Sequence, residues 1–538
     1  MSSQEKESPD FEKILSFLKH ISPREYQKQI YLTCSKKNTL VIVPTGLGKT
    51  LIALLLTIDR MLKFPDSKIL FLAPTRPLAE QHFSYFKKHL PELFAQMDIF
   101  TGKTPAEKRK ELWQNSDIVF STPQCTGNDI KNNLYTLENV SLLIEDECHR
   151  CFKNYAYTYV AEKYLAHSRM PRILGLTASP GHEKEKIQQI AKNLGIEAYE
   201  IRTRDSPDVK EYMQKLEFDT IHVEFPEEFK KMTNSLKKIS DRKIEELKSR
   251  KLLFGPPTKI NVLNTQKKIM GAIASGNKHF NLLTGASACA QVLKVQHAIE
   301  LIETQTLASA QEYIQGLFEQ ARKQESKAVQ NVIKQPEFNL AYTQLMQLIA
   351  RKAEHPKLLV LKDLVEREMQ KNSKTKLLVF AQFRDTVVKI CKEVNQIPGV
   401  NARVFVGQSK KTNQKKEETG LSQKEQQELI KEFSLGTVNL LASTSIGEEG
   451  LDIPEVNTVV FYEPVPSAIR KIQRAGRTAR LSKGNLTVLI TDGTRDESYY
   501  WTAFHKEKKM YKVISTLKDE LENKSNLSNE EDKQRTLI

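Results

Sequence analysis

Long apolar runs are missing from this 538-residue chain. Stretches such as Leu51–Leu56 fall far short of the ~20 residues that a membrane-spanning helix requires, which argues against an integral membrane protein and for a soluble one. Cysteine is scarce as well. The six residues Cys34, Cys125, Cys148, Cys151, Cys289 and Cys391 are scattered, with no secretory signal before them. That distribution argues against a disulfide framework and for free thiols in a reducing, cytoplasmic setting. Cys148 and Cys151 form a C-x-x-C pair, but no second pair stands nearby to complete a zinc tetrahedron. No long-period repeat is present. Acidic residues are the minority charge, 66 against 82 Lys and Arg, and the resulting +16 at pH 7 favours a polyanion such as nucleic acid as partner.

Single domains usually run ~100–200 residues, so a chain of this length holds more than one. Short apolar runs alternate with amphipathic helical stretches from Leu40 to Ile201: Leu40–Val43, Ile69–Ala73, Ile118–Ser121, Leu142–Asp146 and Ile173–Thr177. Strands this apolar belong to a parallel sheet covered on both faces by helices. A second set begins near Glu354 and recurs at Leu377–Ala381, Val404–Val406, Leu440–Ser443, Thr458–Tyr462 and Leu486–Thr491. Between the two, Phe229, Met232, Leu236 and Ile239 follow helical spacing, and the block from Pro226 to Arg351 is predicted to be all-helical. The expected fold is therefore α/β, two parallel-sheet lobes with a helical insertion between them. Its expected divisions are 1–201, 202–352, 353–510, and a C-terminal helix and polar tail over 511–538. Lys237, Lys238 and Arg242 lie in the basic first helix of the insertion and are candidates to meet a phosphate backbone. Ser409–Gly420 is expected to be a mobile loop, and Asn523–Gln534 a frayed tail.

Chemistry concentrates in three places. Thr45, Gly46, Leu47, Gly48, Lys49 and Thr50 follow the first apolar strand and precede a helix, the setting in which backbone N–H groups and a helix N-terminus hold phosphates. The loop departs from G-x-x-x-x-G-K-[ST], since Val43 takes the first glycine position. Asp146 and Glu147 emerge from the apolar run Leu142–Ile144. There Asp146, with Thr50, can hold Mg²⁺ beside ATP, and Glu147 can orient and deprotonate an attacking water. The third place, Gln473–Arg480, sets Arg477 and Arg480 beside a glycine as candidates to stabilise charge on a γ-phosphoryl group.

In their order, these residues resemble the helicase core of superfamily 2, over nearly the whole chain, and the resemblance implies RecA-like lobes. Arg24-Glu25-Tyr26-Gln27 resembles the adenine-reading element, which gives Arg24 and Gln27 the base. Leu176–Ser179 resembles the coupling motif III, Gly447–Pro454 motif V and Gln473–Arg480 motif VI, which implies Glu449 and Asp452 near the nucleotide and Gln473 near the phosphates. The same likeness implies nucleic-acid contacts at Thr75, Arg76, Thr101, Gly102 and Thr122 on the first lobe, and at Gln382, Gly407, Gln408 and Thr444 on the second. The DECH string Asp146–His149, the helical insertion, Ser206–Val209 and Gly420–Gln426 are similar to the archaeal Hef and Fanconi anaemia M helicases. Such kinship implies a DNA-stimulated ATPase and helicase acting on forked or branched DNA in repair, in an archaeal cytoplasm at the nucleoid. A nuclease module and a sliding clamp are implied partners. No E-R-K-x-x-x-D nuclease signature occurs in the chain. Dicer helicase domains and the innate immune duplex-RNA sensors share DECH and an insertion, which keeps a double-stranded RNA helicase or sensor as the alternative.

Overall fold

The computed structural model describes residues 10–204, 206–212, 216–407, 420–444, 453–467, 474 and 484–535, of which Leu216 and 521–535 in backbone only. Its first lobe runs α1 (Phe11–Leu15), α2 (Glu25–Lys36), β1 (Thr39–Ile42), α3 (Lys49–Lys63), β2 (Lys68–Leu72), α4 (Arg76–His89), β3 (Met97–Phe100), α5 (Ala106–Asn115) and β4 (Ile118–Ser121). It continues through α6 (Pro123–Lys131), β5 (Val140–Asp146), a 3-10 turn (Cys148–Arg150), α7 (Ala156–His167), β6 (Ile173–Thr177), α8 (Lys184–Asn193) and β7 (Ala198–Ile201). These strands form one parallel sheet in the order β3-β4-β2-β5-β6-β1-β7. Every residue of β1, β4, β5 and β6 is buried, because helices cover both faces.

A short helix, α9 (Pro207–Lys210), leads to β8 (Leu216–Val223), and six helices follow: α10 (Glu227–Ser249), α11 (Lys259–Ala274), α12 (Phe280–Thr304), α13 (Leu307–Arg322), α14 (Lys327–Ile333) and α15 (Pro336–Ala350). The stripe Phe229, Met232, Leu236 and Ile239 on α10 packs on Val295, Ile299 and Ile302 of α12 and on Phe338 and Leu345 of α15. A smaller core, with Leu247, Val262, Ile269 and Val292, closes the far end of the bundle. The second lobe comprises α16 (Pro356–Lys371), β9 (Leu377–Phe380), α17 (Arg384–Val394), β10 (Ala402–Phe405), α18 (Gln423–Leu435), β11 (Leu440–Ser443), β12 (Thr458–Phe461), β13 (Gly484–Thr491) and α19 (Arg495–Arg535). Its sheet is also parallel, ordered β10-β11-β9-β12-β13-β8.

Two features depart from the sequence reading. A division at 202 and 353 leaves β8 in the linker and insertion, whereas the structure makes it the edge of the second sheet, paired along its length with β13. The bundle is thus inserted within the second lobe, after its edge strand. A boundary at 511 also cuts through α19, which continues to Arg535 across the segment expected to fray. Met510, Ile514 and Leu517 of this helix return to the first lobe and share a core with Tyr157, Tyr164, Ile187 and Tyr199. Lys184 and Glu520 pair there at 2.6 Å. The 409–420 loop lies outside the described residues except for Gly420.

Candidate functional site

In both sheets all strands point one way, so the loops that leave their carboxyl ends share one edge, where open α/β sheets bind ligands. Five first-lobe segments meet at that edge: the phosphate loop after β1, Thr75 after β2, Thr101 after β3, Thr122 after β4 and Asp146 at the end of β5.

The phosphate loop is shaped by two left-handed glycines, Gly46 (φ 88°) and Gly48 (φ 69°), and opens α3. The first N–H groups of a helix have no intrahelical acceptor, so this end offers donors to an anion. The loop is braced from α2: the Tyr26 hydroxyl donates to the Leu47 carbonyl (2.8 Å), and the Gln27 amide donates to the same oxygen (3.1 Å) while accepting from the Arg24 N–H (2.8 Å). Gln27, expected at the base of a nucleotide, therefore holds the loop here. Arg24 lies 4.7 Å over the Tyr212 ring. Thr45 is half-buried, and Leu47 is buried in the core. The Lys49 ammonium donates to the Val43 carbonyl at 3.0 Å.

Asp146 is buried, and its Oδ2 lies 2.9 Å from His82 Nε2 of α4. Burial opposes its charge, but His82, Lys49 and the Glu147 N–H hold the carboxyl below the usual aspartate range. The Tyr157 hydroxyl donates to the Asp146 carbonyl at 2.6 Å and fixes the strand end. Glu147 adopts a left-handed backbone (φ 51°), a conformation that costs a non-glycine residue roughly 1–2 kcal/mol. Such strain gathers at working sites. Its Oε2 lies 3.1 Å from His149 Nδ1, which is also 3.2 Å from the Thr177 hydroxyl, so one ring joins Glu147 to the end of β6. A lysine, a hydroxyl and a buried carboxylate make a donor set that suits a triphosphate and an oxygen-seeking divalent cation.

The expected nucleic-acid residues of the first lobe are placed along the same edge. Thr75 caps α4 with its hydroxyl buried and outside any hydrogen bond, and Arg76 pairs with Glu80 at 2.6 Å. Thr101 is buried, Gly102 is exposed, and Thr122 precedes α6. On the second lobe Gln382 is exposed after β9, the Gly407 carbonyl accepts from Arg384 (3.2 Å), and Thr444 follows β11, its carbonyl accepting from Ser443. Gln408, Glu449, Asp452, Gln473, Arg477 and Arg480 lie outside the described residues.

The bundle gives two of the basic residues of α10 acidic partners. Lys237 pairs with the buried Glu303 at 3.1 Å, and Arg242 with Glu337 at 2.7 Å and Gln335 at 2.6 Å. Both cations have partners within the bundle and keep 45% and 55% of their side-chain surface exposed; Lys238 is exposed and takes part in none of these pairs. All six cysteines are free thiols and buried. Burial raises Cys148 and Cys151 above the ordinary thiol range, which favours their protonated form.

Sequence reasoning missed four residues here. His82 reaches Asp146 from another element, and nothing in its neighbours signals that. Lys357 and Asp496 pair at 2.7 Å, both fully buried, beneath Tyr462 and Glu463 at the end of β12. Arg474, one residue from Gln473, is buried over the rings of Phe380 (4.9 Å) and Phe461 (5.6 Å). Pro466 and Ser467 of the second lobe line a pocket with Gly181, His182 and Glu183 of the first, so the loops after β12 and β6 meet there.

Fold and site together define a two-lobed phosphate-loop protein. Comparison with known proteins narrows the class. The DEAD/DEAH box helicase family matches residues 24–187, the helicase conserved C-terminal domain 356–482, and the helical bundle of a putative ATP-dependent RNA helicase family 227–355. The chain is 39% identical to the Hef helicase domain of Pyrococcus furiosus in its crystal structure, with a TM-score of 0.68 over 89% of this chain and 98% of that one. A putative ATP-dependent RNA helicase of Methanocaldococcus jannaschii is 38% identical over 93% of this chain and 61% of its own length. The Fanconi anemia group M protein homolog of Mus musculus is 30% identical over 91% of this chain and 26% of its own. The ATP-dependent DNA helicase fml1 of Schizosaccharomyces pombe is 30% identical over 89% and 58%. The chain belongs to the superfamily 2 helicases of the Hef and Fanconi anaemia M family. It spans 26% to 61% of the length of these curated relatives. Among the described residues no helix is long and apolar enough to cross a membrane.

Proposed function

We propose that this chain is an ATP-driven DNA helicase or translocase that acts on forked or branched DNA in repair. One observation carries the reading. The phosphate-loop lysine and the Asp146–Glu147 pair stand at the strand-end edge of one lobe, and a loop that follows β12 of the second lobe shares a pocket with the loop after β6 of the first. Lys49 and the N-terminus of α3 would hold the phosphates, Thr50 and Asp146 a Mg²⁺ ion, and Glu147 would orient the attacking water and take its proton. When bound, the metal ion would neutralise charge on the phosphates. Arg477 and Arg480 are the candidates to enter the site from the second lobe as the lobes close, with Glu449, Asp452 and Gln473 beside them. For Gln27 to read a base it must give up its bond to Leu47, so nucleotide entry would loosen the loop it now braces. Thr75, Arg76, Thr101, Gly102 and Thr122, with Gln382, Gly407, Gln408 and Thr444, would grip the phosphates of one strand without reading sequence.

The test is ATP turnover against single-stranded, duplex, forked and four-way DNA. Forked or four-way DNA should stimulate most, and Lys49→Ala or Glu147→Gln should abolish turnover while fork binding persists. Turnover untouched by either substitution would remove the proposed chemistry. An RNA substrate, with double-stranded RNA as the expected form, is the second reading, since the Methanocaldococcus relative is called a putative ATP-dependent RNA helicase. Competition between equal lengths of forked DNA and duplex RNA separates the two.

A further inference from the structure

One helix of the first lobe touches two sites at once. At the N-terminus of α4 the Thr75 hydroxyl and the Nη1 atom of Arg76 are buried, and neither forms a hydrogen bond within the protein. Buried polar groups are rarely left so, and a pair of them at a helix N-terminus suits an oxygen supplied from outside, such as a strand phosphate. Seven residues beyond Thr75, two helical turns or ~10 Å along the same face, stands His82. Its ring packs on Phe71 of β2 at 4.4 Å, and its Nε2 lies 2.9 Å from Asp146 Oδ2. Ala79 and Phe86 anchor α4 in the lobe core. Lys49 and the Glu147 N–H already act on the Asp146 carboxyl from its own neighbourhood. His82 is different, because it ties that carboxyl to a helix whose tip faces the candidate strand path.

We propose that His82 is a positioning residue that couples strand binding at the tip of α4 to the alignment of Asp146 in the nucleotide site. The inference rests on the functional reading above. A strand phosphate that engages Thr75 and Arg76 shifts α4 on the sheet, and the His82 bond passes that shift to Asp146. Coupling of this kind is reciprocal, so nucleotide must change the affinity for the strand by the same factor as the strand changes the affinity for nucleotide. A histidine that merely satisfies a buried carboxylate would carry no such factor.

The experiment uses the full chain and a fluorescent forked DNA, titrated with and without a non-hydrolysable ATP analogue and Mg²⁺. Couplings between linked sites are typically about 5- to 150-fold. Parent protein should show a shift of DNA affinity in that range on adding the analogue. His82→Ala should bind DNA without analogue as the parent does but lose the shift, and under DNA stimulation its kcat should fall while its KM for DNA moves toward the nucleotide-free affinity. His82→Gln keeps an N–H donor near the place of Nε2 and should restore most of both. A parental shift retained in His82→Ala overturns the proposal. So does loss of the shift in both variants together with a lowered melting temperature, which would make His82 a residue of the fold. A parent that neither binds forked DNA nor hydrolyses ATP would sink the functional reading itself, a result distinct from a coupled parent with an equally coupled variant.

Discussion

The Lys357–Asp496 pair is the most exacting place to perturb this fold. Lys357 enters from the first turn of α16 and Asp496 from the first turn of α19, and neither side chain has any exposed surface. Besides the lysine at 2.7 Å, Asp496 Oδ2 accepts the Thr491 N–H at 3.0 Å. Lys357→Met keeps the volume and removes the charge. Opposite charges ~4 Å apart attract by about 4 kcal/mol at an effective dielectric constant of about 20. Stripping a buried pair of one partner typically costs about 3–5 kcal/mol, since the other charge stays behind. For a domain of ~150–250 residues, where each kcal/mol moves the midpoint by about 2–4 °C, the expected fall in melting temperature is about 6–20 °C. Burial already raises the Asp496 carboxyl above its ordinary value, and Lys357 opposes that rise. Without the lysine the carboxyl rises further. A carboxyl whose folded pKa lies above its unfolded one stabilises the fold at low pH and loses that contribution as pH rises. The deficit of Lys357→Met should therefore widen from pH 5 to pH 8 in scanning calorimetry. Lys357→Met/Asp496→Asn keeps an acceptor for Thr491 without the charge and should recover at least half the loss. A single variant within about 1 kcal/mol of the parent, or a double variant no better than the single, would refute the reasoning.

Three further outcomes follow from the same physics. Burial pushes the Glu463 carboxyl from 4.5 to about 7, with Lys357 and Arg474 pulling down and Asp496 pushing up. Its proton stabilises the fold below pH ~4.5, and the gain, on the order of 3 kcal/mol, is lost as pH rises through about 7. Glu463→Gln should flatten the stability profile between pH 5 and pH 8, and parallel profiles for parent and variant would count against this. In the bundle, Lys237→Glu sets a like charge beside buried Glu303 and should cost roughly 1–3 kcal/mol of stability, read from urea unfolding. Lys238→Glu should leave stability alone and lower the salt slope of fork binding by about 1 per lost phosphate contact; equal slopes would return Lys238 to plain solvation. At Gly48 an added Cβ would collide with the Gln27 amide, and the left-handed backbone alone costs alanine about 1–2 kcal/mol. Gly48→Ala should thus lower first-lobe stability, and Gln27→Ala in the same chain should relieve the collision but not the backbone strain. Calorimetry of the two variants separates the contributions.

The sequence by itself determined the parts of this protein whose signal is local. Strands buried on both faces, such as β1, β4, β5 and β6, carry unbroken apolar runs, and the loop before Lys49 and the carboxylates after Ile144 sit at the ends of such runs. The helical stripe of α10 was equally legible, because a 3.6-residue period needs no partner to be seen. Three of the four edge strands were not. β3, β7 and β8 each have one open side, so polar residues such as Asp98, Glu200 and Asp219 interrupt them and break the apolar run. Only the tertiary structure assigned β8 to the second sheet and returned α19 to the first lobe, since both facts depend on contacts between residues hundreds of positions apart. It alone decided the partners of the charges. From sequence, Lys237 and Arg242 look like a basic row for phosphates, and His82 like one more helix residue. Folding set the first two against Glu303 and Glu337 and the third against Asp146. The physical reason is that a side chain's charge is written in the sequence, whereas the charge that meets it is fixed only when separate elements pack together.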